Sequence, residues 1–148
     1  MAIKEYLENG QKHAGFAVLL VEPGEQPCAV QLTLTTVSTG GVSGPLIRSK
    51  VALVSDLSGA AYPANSYHLS TVDGALLTTI ARVPTNGDIL RLEYTSSLVT
   101  AKIKSVTDSS FTTEAVVANS DYVSDAVGIF NVLDTTAVYD DLIVERCQ

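Results

Sequence analysis

The stretch that most constrains the fold is residues 86–103, in which two short runs of apolar side chains flank a Thr-Ser-Ser triplet. In the first run Leu90 and Leu92 alternate with the charged residues Arg91 and Glu93. A period of two is what a strand needs when one face is buried and the other is solvated. The second run is rich in β-branched and aliphatic residues, so the stretch predicts a β-hairpin with a polar turn.

Similar runs recur at intervals of about 8 to 12 residues along most of the chain. Nine or ten strands are predicted, over residues 15–21, 29–37, 46–54, 66–72, 75–83, 89–94, 98–103, 111–118, 126–132 and 136–144. The run 46–54 is expected to break near Arg48, and the glycines and proline of residues 39–45 predict a loop. Asp73-Gly74 favours a two-residue type I′ turn. This spacing, without βαβ alternation, predicts an all-β chain folded as an antiparallel β-sandwich or jelly roll.

The chain has 148 residues, of which 46% are hydrophobic and 17% charged. That composition supports a buried core, and the length suits one domain, placed at residues 14–148. Residues 1–13 are predicted to form an N-terminal arm or short helix, because Ile3, Tyr6 and Leu7 share one helical face. So short a helix is marginal alone. The arm therefore needs a surface to pack on, either its own sandwich or a neighbour's, and these three residues are the expected partner contacts.

The charge balance argues against nucleic-acid binding, since the formal net charge is −7 and the nine Lys and Arg residues are scattered. The apolar run 16–21 is far shorter than the ~20 residues that span a bilayer. Glu5 and Glu8 stand where a signal peptide would be basic. We therefore expect no membrane segment and synthesis in the cytoplasm without a signal peptide.

The two cysteines, Cys28 and Cys147, are far apart and lack the spacing of metal ligands. A bridge between them would close a very long loop, worth ~4 kcal/mol in the chain-entropy model. Cytosolic thiols stay reduced, so the expectation without a secretion signal is two unpaired thiols.

Nucleophilic and general acid–base catalysis find little support in the sequence. His13 and His68 are the only histidines, and His68 is expected to be an ordinary surface residue or a satisfied strand residue. No Gly-x-Ser-x-Gly elbow occurs, and neither cysteine lies near a histidine in sequence. The sequence therefore predicts no catalytic residue and no cofactor.

Two groups of acidic residues are candidates, one for a catalytic carboxylate pair and one for a calcium site. Asp140, Asp141 and Glu145 form the densest carboxylate group, but adjacent strand residues point to opposite faces unless the strand bulges. The loop 119–125 carries oxygen ligands that calcium could use, without the spacing or glycine of a defined calcium loop. Solvated edge charges and a plain polar loop are the favoured interpretations, and no metal site is predicted.

Stacking on a sugar usually uses an exposed aromatic ring, and the chain has no Trp, six Tyr and three Phe. Tyr62, Tyr67 and Tyr122 are expected near loops, where a ring can stack on a sugar or bury half of itself in packing. Tyr62 and Tyr122 are the candidate glycan contacts.

The run Gly87-Asp88-Ile89-Leu90-Arg91-Leu92-Glu93-Tyr94, with residues 98–103 after it, resembles the central strands of concanavalin-like (laminin-G-like) jelly-roll domains. Residues 106–111, 127–130 and 138–142 resemble the closing strands of the same family. The likeness covers residues 29–145 and is most specific from Asn86 onward. The chain is shorter than most such domains, its second strand ends in Lys102-Ile103-Lys104 without the family's Asn-Gly, and the carboxylate motif of the family's glucanases is missing.

What the resemblance implies is a jelly roll of the kind found in virion proteins of tailed bacteriophages. Such proteins decorate capsids or build tail fibres, often as trimers. The first hypothesis is a non-enzymatic capsid decoration protein, located in the virion, that binds the major capsid protein or other virion proteins and forms a homo-oligomer, with a trimer favoured. The second is a carbohydrate-binding module of a tail fibre or receptor-binding protein.

Overall fold

The computed structural model describes residues 15–20, 27–48, 50–59, 63–71, 73, 75–118, 126–132 and 136–146. In these ranges the regular structure consists of eleven strands, with no helix. None of the described segments is therefore a helix able to cross a membrane. The expected arm, residues 1–13, lies outside the described residues.

The strands form two antiparallel sheets, which confirms the predicted β-sandwich or jelly-roll class. Their bounds are β1 Gly15–Leu20, β2 Pro27–Thr36, β3 Val42–Ile47, β4 Val51–Asp56, β5 Ser66–Thr71, β6 Leu76–Ile80, β7 Asp88–Thr95, β8 Leu98–Lys104, β9 Thr112–Ala118, β10 Ala126–Val132 and β11 Val138–Arg146. One sheet has six strands in the order β1-β10-β3-β4-β5-β6, and the other has five in the order β11-β2-β7-β8-β9.

The core lies between the two sheets and takes aliphatic side chains from both. In the central hairpin Leu90 pairs with Ile103 and Leu92 with Ala101, and all four are fully buried. Burying a leucine side chain contributes about 1.5–3 kcal/mol, so this face accounts for much of the stability. The alternation in residues 86–103 was therefore a correct guide to the side of the hairpin that faces the core.

The turn of the central hairpin consists of Ser96 and Ser97, which lie between the paired residues Thr95 and Leu98. Both serines have positive φ, 51° and 64°. Positive φ at both central residues defines the type I′ turn, whose twist matches that of the flanking strands and which is usually built from Asn-Gly. The polar triplet thus reverses the chain as predicted, with two serines in a conformation that favours glycine.

The expected loop at residues 39–45 is wrong over its second half, where β3 begins at Val42. The run 46–54 is divided as predicted, since β3 ends at Ile47 and Arg48 enters the turn with a φ of 53°. Gly44 is part of β3 because a Cβ there would lie 1.6 Å from the carbonyl oxygen of Leu53. Here the glycine permits close approach of the neighbouring strand, whereas the glycines and proline of residues 39–45 suggested a loop.

The turn between β5 and β6 is at its predicted place but is longer than two residues. The Thr71 amide donates to the carbonyl of Ala75 at 2.9 Å, and the Ala75 amide donates to Thr71 Oγ1 at 3.1 Å. Asp73 accepts a hydrogen bond from the Thr71 hydroxyl. The hydroxyl of Thr71 therefore organises this turn, which the Asp-Gly signal alone did not indicate.

A buried carboxylate fixes the segment that leads into β7. Asp88 is 1% exposed and accepts hydrogen bonds from the Tyr67 hydroxyl at 2.5 Å and the Thr85 amide at 3.1 Å. Burial, reinforced by the bond to Asp88, raises the pKa of Tyr67 far above its ordinary value. Tyr67, expected near a loop, is instead fully buried and ties the six-stranded sheet to the start of β7.

The expectation of two free thiols is wrong, because Cys28 is disulfide-bonded. The sequence has one other cysteine, Cys147, which directly follows the last residue of β11. β11 runs antiparallel beside β2, and Arg146 pairs with Pro27. Strand pairing therefore brings the end of the chain to the start of β2, although the two cysteines are far apart in sequence.

The bridge closes a loop of roughly 120 residues, and the chain-entropy model assigns it about 4 to 5 kcal/mol of stability. We expect a reductant to lower the urea midpoint of the chain markedly. Unfolding should be followed with and without reductant, with the double variant Cys28→Ser and Cys147→Ser as control, because it should not respond to reductant. Two free thiols in a titration of the denatured, non-reduced chain would contradict the assignment.

Candidate functional surfaces

The residues expected to bind partners, Ile3, Tyr6, Leu7, Tyr62 and Tyr122, lie outside the described residues. The strands that flank the two tyrosines in sequence are described. Residues 57–65 join the paired ends of β4 and β5, next to the end of β3 that begins at Val42, whereas residues 119–125 enter β10 at Ala126, near Ile47. These are opposite ends of the six-stranded sheet. The described strand ends that flank Tyr62 and Tyr122 in sequence therefore lie at opposite ends of this sheet.

A charged network occupies the outer face of the five-stranded sheet. The guanidinium of Arg91 donates to both carboxylate oxygens of Glu145, at 3.0 and 2.7 Å, and to Glu93 at 2.7 Å. Arg91 also donates to the amide oxygen of Gln31 at 3.1 Å, and Lys102 contacts Glu93 at 2.8 Å. We call these five residues, which belong to four strands, the Arg91 network.

The network stabilises the ionised forms of Arg91, Glu93 and Glu145. The hydrogen bond to Glu145 raises the pKa of Arg91, and the same bond lowers the pKa of Glu145. Desolvation opposes ionisation of Glu93, but its bonds to Lys102 and Arg91 outweigh that effect and lower its pKa. The sequence indicated only that Arg91 and Glu93 share a face, because Glu145 reaches them through strand pairing.

We expect Arg91→Met to lower the free energy of unfolding by about 1 kcal/mol at neutral pH, since exposed ion pairs contribute little individually and more as a network. The side chain of Glu145 is 54% exposed, so solvent screening limits the effect. A carboxylate whose pKa is lower in the folded chain stabilises the fold when the pH is above its unfolded pKa. That contribution is lost as the pH falls through the folded pKa. The difference from the parent chain, measured by urea unfolding, should therefore shrink below about pH 4.

The matched control is Lys104→Met, on the same face of β8, which leaves the Arg91 network intact. An equal loss of stability in both variants, or a difference for Arg91→Met that persists in acid, would contradict a stabilising role for these ion pairs.

Three neighbouring strands of the six-stranded sheet are buried on the outer face as well as the inner one. In β3, β4 and β5 every residue is buried, including the side chains that point away from the core. Around β5 this outer face is polar and consists of Asp56, Ser66, His68 and Ser70. Strand alternation predicts that His68 and Ser70 point away from Tyr67, which is correct, but it does not predict that this second face is also buried.

His68 is a satisfied strand residue, as expected, although it is fully buried and not at the surface. Its Nε2 lies 3.1 Å from the carbonyl oxygen of Pro63, and its Nδ1 lies 3.3 Å from Thr79 Oγ1. The carbonyl can only accept, so Nε2 carries the proton and Nδ1 accepts from the hydroxyl. Burial lowers the pKa of His68, while the Pro63 carbonyl and the Asp56 carboxylate partly oppose that shift.

The histidine predicts a pH dependence of stability. Because its folded pKa lies below the unfolded value of 6.5, the neutral ring stabilises the fold above that pH, and the contribution is lost as pH falls below it. We expect the melting temperature to drop between pH 7 and pH 5, and His68→Gln to reduce the drop. His13→Gln is the matched control, and a pH profile of His68→Gln identical to the parent's would contradict the assignment.

An apolar group lies on the same outer face, on β3, β4 and β10. Val42, Leu46, Ala52, Val54 and Phe130 cluster there and are each 0–4% exposed. We call these residues the outer apolar cluster. Sequence patterns missed it because Val42 was assigned to a loop and because alternation assumes that only one face is buried.

The acidic residues of β11 do not form the shared site that was considered. The strand bulges between Asp140 and Ile143, and Asp141 has a φ of 54° and donates its amide to Asp140 Oδ1 at 2.8 Å. The bulge therefore interrupts the alternation of side chains along β11. Glu145 is in turn held by Arg91, away from a shared site with the two aspartates. Within the part of the chain that the structure describes, no group of three or more His, Cys, Asp or Glu side chains is placed to hold a metal; the loop 119–125 lies outside that part.

Comparisons with known proteins agree with the fold. No protein-family model matches the chain, and no curated protein matches it. Among solved structures, a functionally unknown protein from Saccharomyces cerevisiae matches 90% of this chain and 74% of its own, with a TM-score of 0.52 and 9% identity. A mutant of the GH43 protein BlXynB from Bacillus licheniformis matches 82% of this chain, with a TM-score of 0.50 and 9% identity. The chain spans only 28% of the length of that protein. At 9% identity, the two likenesses show an all-β sandwich fold and nothing more specific.

Proposed function

We propose that the chain is a non-enzymatic structural protein of a bacteriophage virion, most specifically a capsid decoration protein. In this proposal it binds the major capsid protein or another virion protein and assembles with itself, with a homotrimer as the favoured state. The proposal takes its class from the resemblance of residues 87–94 and 98–103 to concanavalin-like jelly rolls. The apolar arm residues Ile3, Tyr6 and Leu7 are its proposed contacts with a partner surface.

The observation that supports a structural role is the way in which charged side chains are used. Arg82 contacts Asp108 at 3.1 Å and Glu114 at 2.9 Å, and the Arg91 network joins two further carboxylates to cations. These groups neutralise one another on the sheet surface. A general acid or base instead needs a reactive group held within reach of a substrate. Ion pairs between segments that are distant in sequence, together with a disulfide, suit a rigid domain that adheres to a surface.

The likeness to the GH43 protein concerns the fold and does not extend to an activity. The chain matches little more than a quarter of that protein, at 9% identity. A fold shared at this level hosts many unrelated functions, so function has to come from a site.

The proposal is tested by the mass of the full-length chain in light scattering and by its presence in purified particles. We expect a trimer in solution and, by mass spectrometry, the chain in virions purified from a culture that carries its gene. A monomer that is absent from washed particles would reject the structural role.

The second candidate is a carbohydrate-binding module, for which the loop tyrosines Tyr62 and Tyr122 are the proposed contacts. The strand ends that flank these two tyrosines in sequence lie at opposite ends of the six-stranded sheet, which favours one ring, and not both, as the contact for a sugar. Binding on a glycan array should therefore be lost in only one of the variants Tyr62→Ala and Tyr122→Ala. Retention of binding in both variants, or no binding by the parent chain, would remove this candidate.

A further inference from the structure

We propose that the outer face of the five-stranded sheet is a self-association surface, on which a second copy of the chain packs face to face about a two-fold axis. The inference goes beyond the proposed function, because it concerns the free chain and depends on strand register and charge, not on a resemblance to other proteins.

Exposed apolar side chains lie on this face. Leu98, Val116 and Ile143 are 44%, 52% and 45% exposed, and they are half of the six exposed large apolar side chains among the described residues. The strand register places all three on the side away from the core. Removing this surface from water favours association with a partner.

The charges on the face are balanced, although the chain as a whole is acidic. Three cations and three carboxylates occupy its paired positions, so the face has no net charge in a chain of net charge −7. They are Arg91, Lys102, Lys104, Glu93, Asp140 and Glu145. Two copies of an acidic chain repel each other over most of their surface, and this repulsion is weakest at a neutral face. The balance therefore favours this face as the contact between copies.

Two of these charges, Lys104 and Asp140, have no ion-pair partner among the described residues. They lie at the two ends of one row across the sheet, in which Asp140 pairs with Thr33, Thr33 with Ile89 and Ile89 with Lys104. Three strand spacings, about 14 Å, separate the two charges. Lys104 and Asp140 are therefore too far apart to pair within one chain.

A two-fold axis along the strands, midway between β2 and β7, turns this row onto itself in reverse. Lys104 of each copy then faces Asp140 of the other, and the symmetry forms the ion pair twice. Packed sheets lie about 10 Å apart, a gap that a lysine and an aspartate side chain bridge together. The second copy thus supplies the partner that each charge lacks.

The neighbouring rows fit the same axis. In the row of Arg91 the axis sets Ile143 against the aliphatic stem of Lys102. It sets Arg91 against the uncharged Gln31. In the row of Glu93 both carboxylates face uncharged residues. No two like charges in these rows are directly opposed, which is the condition for a complementary interface.

The size of the contact sets its strength. Four overlapping strands, β11 to β8, are about 19 Å wide and, at roughly seven residues each, about 24 Å long. The contact therefore covers roughly 450 Å² of each copy, which is in the range of weak, reversible complexes. We expect a dimer whose population depends on concentration. Well below its dissociation constant the chain is monomeric, so the unfolding comparison with Lys104→Met is unaffected.

Charge reversal in the full-length chain tests the contact. Lys104→Glu and Asp140→Lys each replace two attractions by two repulsions, so each variant alone should raise the dissociation constant, measured by sedimentation velocity, at least about tenfold. An equal mixture of the two variants should associate about as strongly as the parent chain. In the mixed dimer each reversed residue faces a residue of opposite charge.

Lys50→Glu is the matched control, because it changes the net charge as Lys104→Glu does but lies in the turn between β3 and β4 of the other sheet. It should leave the dissociation constant unchanged. A parent chain that stays monomeric up to about 1 mM would overturn the proposal and leave the face to a different protein. Association that neither variant weakens, or that the mixture does not recover, would also overturn it.

Failure of this inference is distinguishable from failure of the proposed function. A two-fold contact closes a dimer or, combined with a three-fold contact, a hexamer. A trimer whose mass neither variant changes would overturn the inference and leave the virion role standing. Absence of the chain from washed particles bears on the virion role and not on this contact.

Discussion

Aliphatic burial between two antiparallel sheets is the interaction on which every other feature of this domain depends. The central hairpin, β7 and β8, supplies Leu90, Leu92 and Ile103 to that layer, and its strands hold the middle of the five-stranded sheet. The opposite faces of the same strands present Arg91, Glu93 and Lys102 to solvent. Core packing therefore sets the geometry of the surface ion pairs, because the period-two pleat couples the two faces residue by residue.

The part of the fold that could be read from the sequence is the part governed by local periodicity. Alternation located the central hairpin, and the break near Arg48 separated two strands. It could not show that Glu145 reaches Arg91, since that contact depends on the pairing of β11 with β2. Nor could it relate Cys28 to the end of the chain, because a pairing between distant segments leaves no local trace.

The loop predicted at residues 39–45 was wrong at Gly44, where glycine allows two strands to pack closely. Gly44 belongs to a strand whose neighbour passes too close for a side chain, yet glycines and a proline around it suggested a loop. The outer apolar cluster was missed for a related reason. A strand that is buried on both faces of its sheet has a continuous apolar sequence, and such a sequence has no alternation to show which side chains lie on which face. The residues predicted to bind partners remain predictions, because none of them lies in the described ranges.

The ion pairs leave the acidic excess of the chain unchanged, because each pair removes one cation and one carboxylate from a balance of −7. Of its few cations, Arg82, Arg91 and Lys102 are held in contact with carboxylates. The remaining excess of acidic groups gives a surface that repels polyanions and limits non-specific association.

The disulfide at Cys28 has a topological consequence for the intact molecule. With Cys147 as its partner, the bond turns residues 28–147 into one covalent ring, outside which lie residues 1–27, including β1, and the last residue. A protease that cuts any single loop within that ring opens it without dividing it. The nicked protein keeps both pieces covalently joined, and they separate only when a reductant is added. A loop between Cys28 and Cys147 can therefore be cut once while every strand from β3 to β11 stays covalently attached.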